Sequence, residues 1–280
     1  MLGAGGPAAS QLSAMLLGSL NGTAPEQLLL VLDGALHRVP FAALPYGVTG
    51  ERLVQRTIPT VASSLGVART LSSYRPIAGR ALLVSDGRPK PLEALVALPG
   101  ADSEVERLRH IYPDAVVLTN AAATPAAVMK AAETSAVIHI TAHGIANAAH
   151  PSRSRIELAD DGVEHELRPG NITAAVLSKH PVVILSSCDT GAGRTFRGEG
   201  QMNLGRPFLA AGASAVVAAQ WNLDDASAPA MVSAMHTRLR DGTPVAAAVA
   251  QVQRDAIQKG LPTQVWATFV VLGGAMPPRK

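Results

Sequence analysis

Short apolar runs recur along the chain between turn-rich polar stretches. Those of strand length are Leu28–Leu32, Ala81–Ser85, Ala115–Thr119, Ala136–Ala142, Val182–Ser187, Ala213–Ala219 and Thr268–Leu272. Several are rich in Val and Ile and do not alternate with polar residues, as strands buried on both faces of a parallel sheet require. Between them lie helix-like segments at Pro99–Tyr112, Thr124–Glu133, Gln201–Ala211, Ala226–Arg240 and Pro244–Lys259. In the first, Val105, Leu108 and Ile111 form one apolar stripe, and Ser103 with Glu106 has the spacing of a capping box. Thr124-Pro125 and Thr243-Pro244 each read as an N-cap followed by proline in the first helical turn. Strand–helix alternation of this kind predicts a layered α/β fold.

The first 75 residues have a different pattern. An apolar stretch at Leu12–Leu20 has no basic residue ahead of it, since the first basic side chains are His37 and Arg38. It therefore reads as a helix of the domain rather than a secretory signal. Leu28–Leu32, the Asp33-Gly34 pair and Leu36–Phe41 predict a hairpin. With no internal repeat and no low-complexity linker, the chain is expected to be one domain over 1–280. Residues 1–75 would be an extension packed on the sheet, and 76–280 the core.

Composition narrows the function classes. Charged residues are 16% and hydrophobic residues 48% of 280 positions, which excludes a disordered chain and fits a well-filled core. Lys plus Arg is 24 against 21 for Asp plus Glu, and this net +3 without a basic run is no nucleic-acid footprint. No apolar run reaches the length of about 18 residues that a membrane span needs, so neither nucleic acid nor membrane is an expected partner. Cys188 is the only cysteine. An intramolecular disulfide and a Cys₄ or Cys₂His₂ zinc site are thereby excluded, and a reducing, cytoplasmic setting is expected.

Two strand-like runs end in reactive side chains: AVIHITAHG closes on His143-Gly144, and PVVILSSCDTGAG carries Cys188 into a glycine-punctuated loop. In open parallel sheets, reactive groups collect beyond the carboxyl ends of the strands. If the two runs are neighbours, their tips lie about 5 Å apart at the backbone. That brings an imidazole within reach of a thiol, the minimum for nucleophilic catalysis by a thiolate. A free thiol has a pKa of about 8.5, so it needs such a base at neutral pH. The amides of Gly144 and Cys188 are the natural oxyanion donors. Taken alone, a single cysteine at a strand end is most often an inert buried hydrophobe.

The remaining candidates carry weaker signals. His139 lies four residues before His143, a span of about 13 Å on a strand, too far for one metal ion, and it reads as structural. GAGRTFRGEG lacks the phosphate-loop spacing, and its glycines fit a loop beside the nucleophile. Asp224-Asp225, just after Trp221, is either an N-cap for Ala226–Arg240 or a negative floor in a substrate pocket. No metal or organic cofactor is expected.

The order HITAHG, VVILSSCDTGAGR, RGEG, FLAAGASAVVAAQWNLDD and QVWATFVVLGG resembles CHAT domains, of the caspase, separase and gingipain group of cysteine peptidases. LVLDGALHRVPFAALP, the segment around Ile58–Arg69 and LPGADSEVERL extend the resemblance over nearly the whole chain. It implies a caspase-like three-layer α/β/α fold with a mainly parallel sheet of about six strands. It implies His143 and Cys188 as catalytic residues, with the Gly144 and Cys188 amides as oxyanion hole. By likeness to separases, it points to Asp224 and Asp225, with Asp189 and Trp221, as substrate-binding residues for a basic P1 side chain. Helical repeats commonly precede CHAT domains, and the region before Leu28 is shorter than one 34-residue repeat, so the chain reads either as a stand-alone enzyme or as a piece of something longer. The expected function is a cysteine endopeptidase acting on a protein or peptide, with an activating or regulatory protein partner and Gly191–Gly200 as the loop to be ordered. The alternatives are a non-catalytic interaction domain with the same core and another cysteine-dependent acyl-transfer enzyme.

Overall fold

A computed structural model describes residues 6–20, 24–47, 50–75, 77–90, 95–147, 150–186, 200–221 and 228–274. The strands are β1 Gln27–Val31, β2 Pro45–Tyr46, β3 Glu51–Arg52, β4 Ile58–Ala62, β5 Ala81–Asp86, β6 Val116–Thr119, β7 Val137–Ile145, β8 Arg155–Glu157, β9 Glu166–Leu167, β10 Val182–Leu185, β11 Ala215–Ala219 and β12 Phe269–Gly273. The helices are α1 Pro7–Leu17, α2 Leu53–Arg56, α3 Leu65–Ser73, α4 Pro99–Ile111, α5 Pro125–Ala132, α6 Pro169–Ala174, α7 Gly200–Ala210, α8 Ala228–Arg240, α9 Val245–Gln258 and α10 Thr263–Trp266.

The main sheet runs β1-β4-β12-β11-β10-β7-β5-β6. Every pairing on this path is parallel except β11 with β12. The sheet is thus mostly parallel, but it has eight strands on this path among the described residues, not about six. β8 and β9 attach to the end of β7 as antiparallel strands.

The continuous apolar runs are explained by cover on both faces. Leu83, Ile184, Val217 and Val271 pack in one core with Val105 and Leu108 of α4, Met231 and Met235 of α8, and Val249 of α9. Their chain neighbours Leu82, Val84, Val183, Leu185, Val216 and Leu272 pack in the other, with Val128 of α5, Ile172 of α6 and Phe208 of α7. Successive side chains point to opposite faces, so a strand in the middle layer needs apolar residues at every position.

Three expectations at the element level are corrected. The hairpin is absent: β1 pairs in parallel with β4, from Gln27↔Ile58 to Val31↔Ala62, and Gly34–Arg38 is a 3₁₀ turn. Pro40 has no N–H to give a ladder, which disfavours Leu36–Phe41 as a strand. β4 itself was not among the expected strands, because Pro59 interrupts its pattern; β12 meets β4 only at Leu272↔Val61, so Pro59 faces no second ladder there. Ser103 is not a cap, since α4 starts four residues earlier at Pro99, and its Oγ donates to the Gly100 carbonyl within the helix at 2.9 Å. Thr124 does cap α5, its Oγ1 accepting from the Ala127 N–H at 3.3 Å.

A buried polar chain ties β7 to the helices on one face. Glu104 of α4 lies 3.0 Å from His139 Nε2, His139 Nδ1 lies 3.1 Å from His236 Nε2 of α8, and His236 Nδ1 lies 3.2 Å from the Tyr112 hydroxyl. All four ring nitrogens are partnered, as buried polar groups require. His139 is fully buried. Burial, and then the neighbouring His139, hold His236 well below the ordinary histidine range.

Two outcomes follow for stability. Phe208→Ala empties a fully buried site and is expected to cost about 3–5 kcal/mol in urea unfolding. His236 resists protonation when folded, so the unfolded chain takes up the proton first. The stability it contributes is complete above about pH 6.5 and declines as the pH falls below that value. The urea midpoint should drop between about pH 7.5 and 5.5; a flat midpoint there would contradict this role for the buried histidine.

Candidate active site

β7 outlasts β5 in the parallel block. β10 pairs with it as far as Leu185↔Ile140, and β5 as far as Asp86↔Ala142. His143 is the next residue and pairs instead with Glu157 of β8, followed by Gly144↔Ile156 and Ile145↔Arg155. The strand was expected to end at His143-Gly144; it continues to Ile145 because β8 takes over the pairing. β7, which bears His143, and β10, which leads towards Cys188, are parallel neighbours.

His143 is 1% exposed. Its Nε2 lies 2.8 Å from the carbonyl oxygen of Val96. A carbonyl only accepts, so Nε2 carries the proton and Nδ1 holds the lone pair of the neutral ring. Burial pulls the His143 pKa below the ordinary histidine value. The Val96 bond and the charge of Asp86 oppose this, while the charge of Lys90 reinforces it. The imidazole is therefore a neutral base with a fixed tautomer at neutral pH.

Around it stand residues that the sequence reading passed over. Asp86, fully buried, closes β5 and is held by Arg88 and Lys90. Burial alone would raise its pKa, but hydrogen bonds from both cations and the charge of Lys90 prevail and keep it below the ordinary carboxylate value. The signal was a charged residue ending the run ALLVSD. Glu157, His165 and Glu166 bring three ligand-type atoms within 4.8 Å of one another. Arg155 already bridges the two carboxylates, at 2.5 Å to Glu157 and 3.0 Å to Glu166, and Arg168 also pairs with Glu166. Both carboxylates of that cluster are thus ion-paired to arginine.

Trp221 follows β11, whose carboxyl end lies on the same rim as those of β10 and β7. Its indole Nε1 donates to the Gln264 carbonyl of α10 at 2.8 Å, and its own carbonyl accepts from Thr268 Oγ1 at 3.2 Å. These bonds fasten the tryptophan to the segment before β12. Gly144 is buried within β7. Cys188, Asp189, Asp224 and Asp225 lie outside the described residues, and of Gly191–Gly200 only Gly200 is described, as the start of α7.

No helix among the described residues is long and apolar enough to cross a membrane. In structure, the chain is similar to separase in its complex with securin from Saccharomyces cerevisiae, with a TM-score of 0.59, 15% identity, and coverage of 88% of this chain and 15% of that one. It is also similar to the complex of the pro- and mature domains of RgpB from Porphyromonas gingivalis, with a TM-score of 0.55, 14% identity, and coverage of 95% and 68%. At such identities the likeness is one of fold, and that fold is caspase-like. In sequence, the chain is 27% identical over 304 residues to tetratricopeptide repeat protein 28 of Mus musculus, covering 89% of this chain but only 12% of that protein. The family model of the CHAT domain matches residues 6–274. Spanning nearly the whole sequence, that match settles the affiliation: the chain belongs to the CHAT domain family.

Proposed function

We propose that this CHAT domain is a cysteine endopeptidase in which His143 and Cys188 form the catalytic dyad. The observation that carries this is the register of β10 on β7. Leu185 pairs with Ile140, and Cys188 and His143 each follow their partner by three residues. Equal counts along parallel neighbours favour adjacent side chains at one rim.

The chemistry starts from the proton order at His143. Nε2–H is committed to Val96, so Nδ1 takes the Cys188 proton. The thiolate attacks the carbonyl carbon of the scissile peptide bond, and the oxyanion forms against the amides of Gly144 and Cys188. The imidazolium returns the proton to the leaving amine, the C–N bond breaks and a thioester remains. Water, deprotonated by His143, then cleaves the C–S bond, releasing the acid and restoring the thiol. In this reading Asp224, Asp225 and Asp189 supply negative charge for an Arg or Lys at P1, and Trp221 is a further substrate-binding residue. A protein partner is part of the proposal, since the two structural relatives are themselves complexes, one with securin and one of pro- and mature domains.

Cys188→Ala should lower peptide cleavage by about 10⁴-fold or more and abolish labelling by a thiol-directed electrophile, with an unchanged melting curve. Cleavage at the wild-type rate by that variant would end the assignment. Absence of cleavage by the wild type, joined to slow alkylation of Cys188, would favour a docking domain with the same core. Because burial lowers the His143 pKa, the acid limb of kcat/KM should lie below about pH 6.5. Profiling with a peptide library should show a preference for basic P1 that drops at least about tenfold in Asp224→Ala or Asp225→Ala; unchanged selectivity in both would remove these acids from the substrate site.

A further inference from the structure

The Val96 carbonyl that holds His143 is itself poorly held by its own side chain, which is 64% exposed. Its position is set instead by its neighbours, through the buried side chain of Leu95 and through their polar bonds. The segment containing it leaves β5 at Asp86 and enters α4 at Pro99. At its base the Leu98 N–H bonds the Gly87 carbonyl at 2.8 Å. A Cβ at Gly87 would lie 2.5 Å from the Leu98 oxygen, so only glycine admits this closure. Further out, Lys90 and Leu95 exchange two backbone bonds, of 3.0 and 3.1 Å. Val96 is the residue after that pair.

Lys90 joins the pair to the protein. Its Nζ donates to Asp86 Oδ2 at 2.8 Å and to the Leu158 carbonyl, just past β8, at 2.7 Å. Asp86 is also held by Arg88, from Nε to Oδ1 at 2.8 Å and from a terminal nitrogen to Oδ2 at 2.9 Å. The Lys90 side chain is 16% exposed and the Asp86 side chain fully buried, so this is a sheltered charge-assisted pair rather than a loose surface one. One ammonium thus bridges the end of β5, which pairs with β7 up to Ala142, to the residue after β8, which pairs with β7 from His143 on.

We infer that Lys90 is a positioning residue for His143: by pinning the Lys90–Leu95 pair to Asp86 and Leu158, it sets the Val96 carbonyl on the imidazole. This rests on the proposed role of His143 as the base, but its test reads the imidazole itself. The charged groups around the ring are Asp86 with Arg88 at the end of β5, Lys90 on the connecting segment, and Glu157 with Arg155 on β8. Two effects of Lys90 on His143 then have opposite signs. Its positive charge disfavours the imidazolium, so losing the charge alone would raise the His143 midpoint. The Val96 bond favours the imidazolium, so losing that bond would lower the midpoint and free the tautomer.

Nitrogen-15 side-chain NMR of His143 in the full chain, wild type against Lys90→Met, separates the two. The expected result is a fixed Nε2–H tautomer in the wild type, and mixed tautomers with a lower midpoint in Lys90→Met. Lys90→Arg, which keeps the cation, should restore most of the wild-type tautomer. In cleavage assays, kcat should fall about ten- to a hundredfold with little change in KM. An unchanged tautomer with an equal or higher midpoint would overturn the inference, whatever the melting temperature does. Should Lys90→Met not fold, Asp86→Asn takes its place, with mixed tautomers again expected and a fixed Nε2–H tautomer counting against. Mixed tautomers in a chain that never cleaves peptide would sink the peptidase and leave the positioning role standing. A fixed tautomer in a variant of an active peptidase would do the reverse.

Discussion

The candidate site depends on a mismatch of strand lengths. β7 runs to Ile145, whereas β5 pairs with it only to Ala142. A strand that outruns β5 in this way has no further ladder partner from β5 beyond Ala142. Unpaired backbone is costly when buried, and β8 meets the need by pairing back along Glu157, Ile156 and Arg155. Past the end of β5, the return of β8 pairs His143 with Glu157 and keeps it buried. The environment that lowers the basicity of His143 is thus a product of the sheet and not of any single neighbour.

Beneath His143, the same strand is anchored by polar contacts of a different kind. His139 reaches α4 through Glu104 and α8 through His236. Burying two imidazoles, a carboxyl group and a phenol is expensive unless every nitrogen finds a partner, and here both histidines are fully engaged. An apolar contact would tolerate a small slide of α8 along the sheet. A chain of directional bonds does not, so β7, α4 and α8 share one register.

Much of this was legible from residue pattern alone. The Val- and Ile-rich runs at Ala81–Ser85, Ala136–Ala142, Val182–Ser187 and Ala213–Ala219 are the strands that form the middle of the sheet, because burial on both faces writes itself into every position. His143 stood out because a polar side chain closes such a run. What escaped was encoded at a distance. Pro59 hides β4, and nothing local says that β4 will find β1 across the intervening 3₁₀ turns. Asp86, Lys90, Glu104, His236 and Glu157 are ordinary polar residues in sequence; their partners lie on other elements, at separations that no periodicity reports. The Ser103–Glu106 spacing misled because the same arrangement fits inside a helix that Pro99 had already begun.

The group that orients His143 is a main-chain oxygen. The side chain of the residue that carries this acceptor is exposed, and almost any amino acid at position 96 would present the same atom. Screens that replace side chains one at a time would leave this contact in place and score the residue as dispensable. Designers seeking to retune the imidazole would therefore do better to lengthen or shorten the segment that bears the oxygen than to change the letter written there.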